Sequence, residues 1–335
     1  MMLRSLCCCA GLLFAAITSA AGTYEKPTQA QVSAAEKQFA AQLASDTDLS
    51  EADVLATLAK ARYQQSIIDA ITRPAESKTW AEYRPIFLTP ARIDGGAAFY
   101  GANKALFDRV EKEFGVPAQI LVAIIGVETN YGRTPTRYRV LDALTTLAFY
   151  YPPRADFFRS ELRQLFLLHG TNFPYPLESL MGSYAGAMGM GQFMPSSIAK
   201  FARDEDGDGR IDLWNSLPDV VASIANYFVG NGWKTGGPVA VRAKVSANAR
   251  AVTPENLKPA YSLKQLAEWG YVPATKVDAA SDTLATLVKL EGEDGPEVWI
   301  AFQNFYAISR YNRSPLYSLA VYQLSEEIAA QTGGK

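Results

Sequence analysis

Between Gln119 and Val127 the chain is apolar at every position after the glutamine, and the run then stops on a carboxylate, Glu128. A helix that is hydrophobic all round has no face for water, so this segment must be buried and the rest of the fold must cover it. Gly115-Val116-Pro117 marks its start, with proline in the first helical turn, and Thr129-Asn130-Tyr131-Gly132 marks its stop. Glu128 therefore sits where a buried helix emerges into a loop. Burial disfavours the charged form and raises a glutamate pKa, as a general acid at neutral pH requires. Position alone leaves two readings open, an ordinary helix-end glutamate or a catalytic acid. A carboxylate opposes the negative end of the helix dipole, which makes the placement unusual.

The N-terminus carries one cation, Arg4, an apolar run from Leu6 to Ile17, and the small residues Ser19, Ala20 and Ala21. That layout predicts a secretory signal peptide over residues 1–21 and export to the periplasm. The run is shorter than the roughly 20 apolar residues of a membrane span. Cys7, Cys8 and Cys9, the only cysteines, lie at the start of the run, so the mature chain is expected to have no thiol. A lipoprotein cysteine would follow the run, which makes an outer-membrane lipoprotein the less favoured reading. A formal charge of −2 and the absence of any Lys/Arg run argue against a nucleic-acid surface.

Texture divides the remaining chain into an N-terminal helical domain (22–114), a core rich in aromatic and glycine loops (115–235), a small β-containing insertion (236–300) and a C-terminal helical segment returning to the core (301–335). Residues 29–71 read as helices, the prolines between 73 and 90 break that pattern, and helix resumes from about 97 to 114. Alternation at Val239, Val241, Ala243 and Val245, a short helix over 262–269, and runs at 283–290 and 297–302 indicate the insertion's strands. The fold class is mainly α, formally α+β.

Three blocks carry chemistry. Ile124-Ile125-Gly126-Val127-Glu128-Thr129-Asn130-Tyr131-Gly132-Arg133 surrounds the carboxylate. Gly182-Ser183-Tyr184-Ala185-Gly186-Ala187-Met188-Gly189-Met190-Gly191-Gln192-Phe193-Met194-Pro195-Ser196-Ser197 is glycine-rich without the spacing of a dinucleotide loop, and no strand-like run precedes it. Its glycines suit close approach of backbone to a sugar. Asp204 to Asp212 reads as the start of an EF-hand loop, with Asp204, Asp206, Asp208 and Asp212 at ligand positions 1, 3, 5 and 9, glycine at 6 and the Arg210 carbonyl at 7. Position 12 is Asn215, so the bidentate glutamate of the usual loop is missing. Calcium is the one cofactor expected, with no organic cofactor.

In order and texture these blocks resemble the membrane-bound lytic murein transglycosylase B family, as do Ser223–Phe228 and Arg310-Tyr311-Asn312-Arg313-Ser314. The resemblance implies a lysozyme-like catalytic core with an EF-hand-like loop and makes Glu128 the catalytic acid. It assigns Ser183 to the N-acetyl sugar, Gln192 to substrate or to positioning the acid, and Tyr227, Tyr311 and Tyr317 to the cleft. It sets Arg154 toward the peptide stem, with Pro153 where the family can carry a second arginine, and makes Asp219 the residue that closes the metal loop. The implied substrate is the glycan strand of peptidoglycan, with wall-synthesis proteins as candidate partners of a monomer.

Two-carboxylate glycosidases need an acid and a nucleophile or base, and the motifs place only Glu128. The implied reaction is substrate-assisted: Glu128 protonates the glycosidic oxygen between MurNAc and GlcNAc, the N-acetyl carbonyl assists, and a 1,6-anhydromuramyl end forms. The alternatives are a hydrolytic muramidase on the same fold and a non-catalytic peptidoglycan-binding protein. His169, the sole histidine, has no second ligand for zinc, and no G-x-S-x-G elbow accompanies it.

Overall fold

The computed structural model describes residues 25–73, 78–169 and 171–333. The expected signal peptide and the three cysteines lie outside the described residues. The chain divides into two compact units, one formed by the described residues of Ile17–Pro74 and Gly132–Ser223, the other by those of Ala75–Tyr131 and Ile224–Lys335.

In the first unit, helices Gln29–Asp46, Glu51–Leu58 and Gln65–Thr72 lead to a two-residue strand, Tyr138–Arg139, and to helices Val140–Tyr150 and Ala155–Leu168. A capping box, Thr28 with Gln31, starts the first helix, and Ser50 caps the second. Asp142 is buried and ties the two halves of the unit's sequence together. Its carboxylate accepts from the Arg62 amide at 2.9 Å and from Arg139 Nε at 3.0 Å. Tyr138–Arg139 pairs antiparallel with Met181–Gly182. A strand does therefore precede the glycine-rich block, contrary to the sequence reading. At two residues it is too short to leave a hydropathy pattern.

The second unit is organised around the helix Ala118–Thr129, in which every residue from Ile120 to Thr129 is buried. Pro117 stands one position earlier than expected, at the N-cap, and Glu111 from the preceding helix accepts the Ala118 amide at 2.9 Å. The 18-residue helix Pro315–Thr332 and the helix Pro90–Ala102 pack against it. The proline-bearing stretch is more helical than its composition predicts. A Thr79–Glu82 capping box opens a helix over Trp80–Phe87 that holds Pro85, and Pro90 begins the next helix at its first position, where a missing N–H costs nothing.

This unit also holds a five-stranded antiparallel sheet in the order Tyr261–Ser262, Leu284–Gly292, Gly295–Ala301, Ala240–Val245, Tyr271–Pro273. The alternation seen in the sequence turns Val241 and Ala243 onto a core of Leu266, Tyr271, Leu287, Ile300 and Phe302.

After Thr129 the chain reverses on two consecutive left-handed residues that are not glycine, Asn130 (φ 49°) and Tyr131 (φ 61°). The Asn130 amide returns to the Gly126 carbonyl at 3.1 Å and that of Tyr131 to the Ile125 carbonyl at 3.2 Å, which satisfies two of the helix's last carbonyls. The reversal lays the Tyr131 ring on the helix, where only glycine leaves room. A Cβ on Gly126 would lie 2.6 Å from the Tyr131 hydroxyl oxygen, which itself donates to the Arg92 carbonyl at 2.7 Å. Gly126→Ala should therefore destabilise the protein by about 1–3 kcal/mol despite alanine's better helix propensity, read as a lowered midpoint in thermal or urea unfolding.

Candidate active site

Glu128 is 6% exposed at the end of its apolar helix. Its Oε1 accepts a hydrogen bond from the Tyr317 hydroxyl at 2.6 Å. Ser314 caps the Pro315–Thr332 helix and accepts the Tyr317 amide at 3.3 Å, which fixes the tyrosine in the first turn. Burial raises the Glu128 pKa to about 8, with the Tyr317 hydrogen bond pulling in the opposite direction. Burial, reinforced by the Glu128 charge, also holds the Tyr317 and Tyr311 hydroxyls well above the ordinary phenol value. Tyr317 therefore keeps its proton and acts as donor, leaving Oε2 to carry the acid proton of Glu128.

Tyr311 stacks obliquely on Tyr227, ring centroids 4.8 Å apart, and the Tyr227 hydroxyl donates to the Arg310 carbonyl. Burial pushes Tyr227 up to about 12. Tyr83 completes this group and was missed by sequence reasoning. It is buried, and its hydroxyl is raised by burial and then by the Glu128 charge. The Thr79–Glu82 capping box announced its helix, but nothing in local spacing tied it to a glutamate so far along the chain. Among the described residues of this unit, Glu128 is the only buried acidic side chain.

The first unit carries the other expected residues. Ser183 Oγ accepts from the Ala185 and Ala187 amides at 3.2 and 3.1 Å, so its own proton is free to be donated outward. Gln192 is left-handed (φ 52°), and its Nε2 donates to the Gly189 carbonyl at 2.9 Å. Three glycines of this block are crowded by protein where a Cβ would stand. A Cβ on Gly182 would meet the Ala187 carbonyl oxygen at 2.3 Å, one on Gly186 the Leu144 side chain at 2.5 Å, and one on Gly189 the Leu213 carbonyl at 2.5 Å. Close chain-to-chain packing is enough to require glycine at these three. The Arg154 guanidinium lies over Phe157 and Phe158, 4.6 and 5.1 Å from their centroids. His169 is exposed.

Carboxylate oxygens of Asp204, Asp206 and Asp219 lie within 4.8 Å of one another. Asp219 is almost wholly buried and accepts the Glu205 and Asp212 amides, both at 2.8 Å, so it joins the two limbs of the loop. Burial, and then the charge of Asp206, raises its pKa. Asp208 is exposed, with Oδ1 taking the Arg210 amide at 2.8 Å, and it is not among the three gathered carboxylates. Asp212 is turned away as well. Its Oδ1 accepts the Trp214 and Asn215 amides at 2.9 and 2.8 Å and so closes the following turn. An all-oxygen set with a buried, mutually repelling carboxylate suits a hard divalent cation.

The second unit thus gathers a buried carboxyl group whose pKa burial raises and buried tyrosines whose hydroxyls stay neutral, on a mainly helical scaffold. The comparisons make this specific: residues 31–326 match the transglycosylase SLT domain, and the chain belongs to that family. It is 39% identical over 282 residues to membrane-bound lytic murein transglycosylase B of Escherichia coli strain K12, covering 84% of this chain and 76% of the relative. The crystal structure of soluble lytic transglycosylase SltB1 from Pseudomonas aeruginosa superposes with a TM-score of 0.83 at 44% identity, covering 89% of this chain and 99% of that one. Escherichia coli lytic transglycosylase Slt35, crystallised in complex with calcium, gives 0.80 at 36% identity, covering 89% and 94%. The protein is a lytic transglycosylase of peptidoglycan, and its fold is the lysozyme-like one of that family. No helix among the described residues is long and apolar enough to cross a membrane.

The raised Glu128 pKa has a thermodynamic cost. Below the ordinary glutamate value of 4.5 the folded and unfolded states both hold the proton. As pH rises from there toward about 8, the unfolded state ionises first and stability is lost. Glu128→Gln should accordingly raise the unfolding free energy at pH 8 by on the order of 1–3 kcal/mol and leave it nearly unchanged at pH 4. Paired denaturation curves at the two pH values check this, and equal shifts at both would contradict it.

Proposed function

We propose that Glu128 acts first as acid and then as base in a reaction that leaves a 1,6-anhydromuramyl end. The observation that carries the reading is a buried, protonated Glu128 with no second buried carboxylate among the described residues of its unit. The Oε2 proton passes to the glycosidic oxygen between MurNAc and GlcNAc as the bond to the muramyl anomeric carbon breaks. The N-acetyl carbonyl oxygen of the same sugar bonds to that carbon in place of an enzyme nucleophile. The muramyl 6-hydroxyl then displaces it, and ionised Glu128 takes the hydroxyl proton. Glu128 returns to its starting state and no water is consumed.

Around this step, Tyr317 orients the acid through Oε1. Tyr227 and Tyr311, joined by Tyr83, supply apolar faces and hydroxyl tips suited to pyranose rings. Ser183 donates to the acetamido carbonyl, Gln192 holds the glycan, and Arg154 faces the acidic peptide stem. Asp204, Asp206 and Asp219, with Asp208 and the Arg210 carbonyl completing the set, hold a structural calcium ion that neutralises the crowded carboxylates. Export through the leader at residues 1–21 brings the enzyme to the periplasm and its substrate.

Digestion of purified sacculi followed by mass spectrometry of the muropeptides tests the reading. Wild type should release anhydro ends, and Glu128→Gln should lose cleavage by at least about a thousandfold while still sedimenting with sacculi. Reducing ends in place of anhydro ends would overturn it in favour of hydrolysis. For the loop, calcium should raise the thermal midpoint by roughly 5 °C over the chelated protein, and Asp219→Asn should abolish that difference.

A further inference from the structure

Glu161 is a buried carboxylate that the reaction does not use. It lies in the middle of the Ala155–Leu168 helix, 5% exposed. Only the amide and hydroxyl of Ser196, accepted at 2.9 and 2.7 Å, oppose the burial that raises its pKa. No cation is among the groups that shift it. A desolvated carboxylate held by two donors of one residue is costly to keep, so its partner's position matters.

Ser196 is in the first turn of the helix Pro195–Phe201, which has no cap of its own. Met194 occupies the N-cap without a side-chain hydrogen bond, and Pro195 supplies no amide. Glu161 provides from another helix the acceptor that an Asp or Ser at position 194 would have given. Immediately upstream lies Gln192, a non-glycine residue in the left-handed region, which costs about 1 kcal/mol unless the flanks enforce it. The flanks are fixed on both sides. The turn that holds Gln192 is closed by Met188 and Phe193, which exchange both backbone hydrogen bonds at 2.9 and 2.8 Å; within it the Met190 amide is held by the Leu213 carbonyl at 2.9 Å, and beyond it Ser196 is held by Glu161. At its start the block is paired through Met181–Gly182.

We infer that Glu161 is a positioning residue for glycan binding, clamping the downstream end of the glycine-rich block so that Gln192 stays in its strained, substrate-ready conformation. The inference rests on the assignment of Gln192 to the glycan made above. It separates binding from chemistry: releasing the clamp loosens Gln192 without touching Glu128 or Tyr317.

The test is steady-state cleavage of soluble, uncrosslinked glycan strands by the full-length enzyme and its Glu161→Ala, Glu161→Gln and Ser196→Ala variants. Glu161→Ala should raise KM on the order of tenfold, with kcat and its pH profile changed by less than about twofold. Glu161→Gln should restore KM, since its carboxamide oxygen can accept the Ser196 amide while its nitrogen donates to the Ser196 hydroxyl oxygen. Ser196→Ala, which removes one of the two donors, should lie between. If Glu161→Ala does not fold, Ser196→Ala and Glu161→Gln decide the matter by the same criterion. An unchanged KM, or a fall in kcat at constant KM as expected from a smaller folded fraction, would overturn the inference. Failure of wild type to yield anhydro ends would instead overturn the proposed reaction, so the two failures are distinguishable.

Discussion

The hydrogen bond from Tyr317 to Glu128 exists only because two segments distant in sequence, an apolar helix and the capped first turn of the last long helix, are packed together. Burial of the Ala118–Thr129 helix supplies the driving force, and each fully buried aliphatic side chain on it contributes about 1.5–3 kcal/mol. That surplus offsets the cost of holding a carboxyl group away from water at its C-terminal end. The same packing raises the Glu128 pKa, keeps the surrounding phenols neutral and directs the acid proton to Oε2. Core stability and acid strength are thus two consequences of one arrangement, and a change that wets the helix end would weaken both.

Much of this was legible because it is local. The apolar run ending at Glu128, the glycine-rich block and the Asp204–Asp212 loop each occupy one stretch, and the strand alternation at Val241 and Ala243 matched the face that meets the sheet core. What escaped was what depends on partners far along the chain. Tyr83 reaches the Glu128 group through tertiary packing of a helix that hydropathy assigned to a proline break. Asp219, which the family resemblance and not the loop's own spacing named, lies with Asp204 and Asp206, its carboxylate accepting two amides of the loop. Asp212 matched a ligand position by count, yet two amides of the following turn claim its oxygen. Sequence spacing reports which oxygens are available, and competing backbone donors decide which remain so.

The glycine-rich block reverses an intuition. Three of its glycines serve chain against chain, where a Cβ would strike a carbonyl oxygen or a leucine. Ser183 uses both acceptor sites on backbone amides, so its hydroxyl has a single remaining function, to donate. A group meeting that hydroxyl would have to accept its proton, as a carbonyl oxygen can and an N–H cannot.

The acidic loop and this block meet where the loop ends. Leu213, just past the loop's acidic residues, offers its carbonyl to the Met190 amide, and the Trp214 indole donates to the Met181 carbonyl at 3.4 Å. A cation held by Asp204, Asp206 and Asp219 would remove the repulsion between those carboxylates and steady the segment that supplies both contacts. Such coupling needs no side chain shared between cation and glycan. It requires only that the loop's exit be held, and Asp212, which accepts the Trp214 and Asn215 amides, ties that exit together.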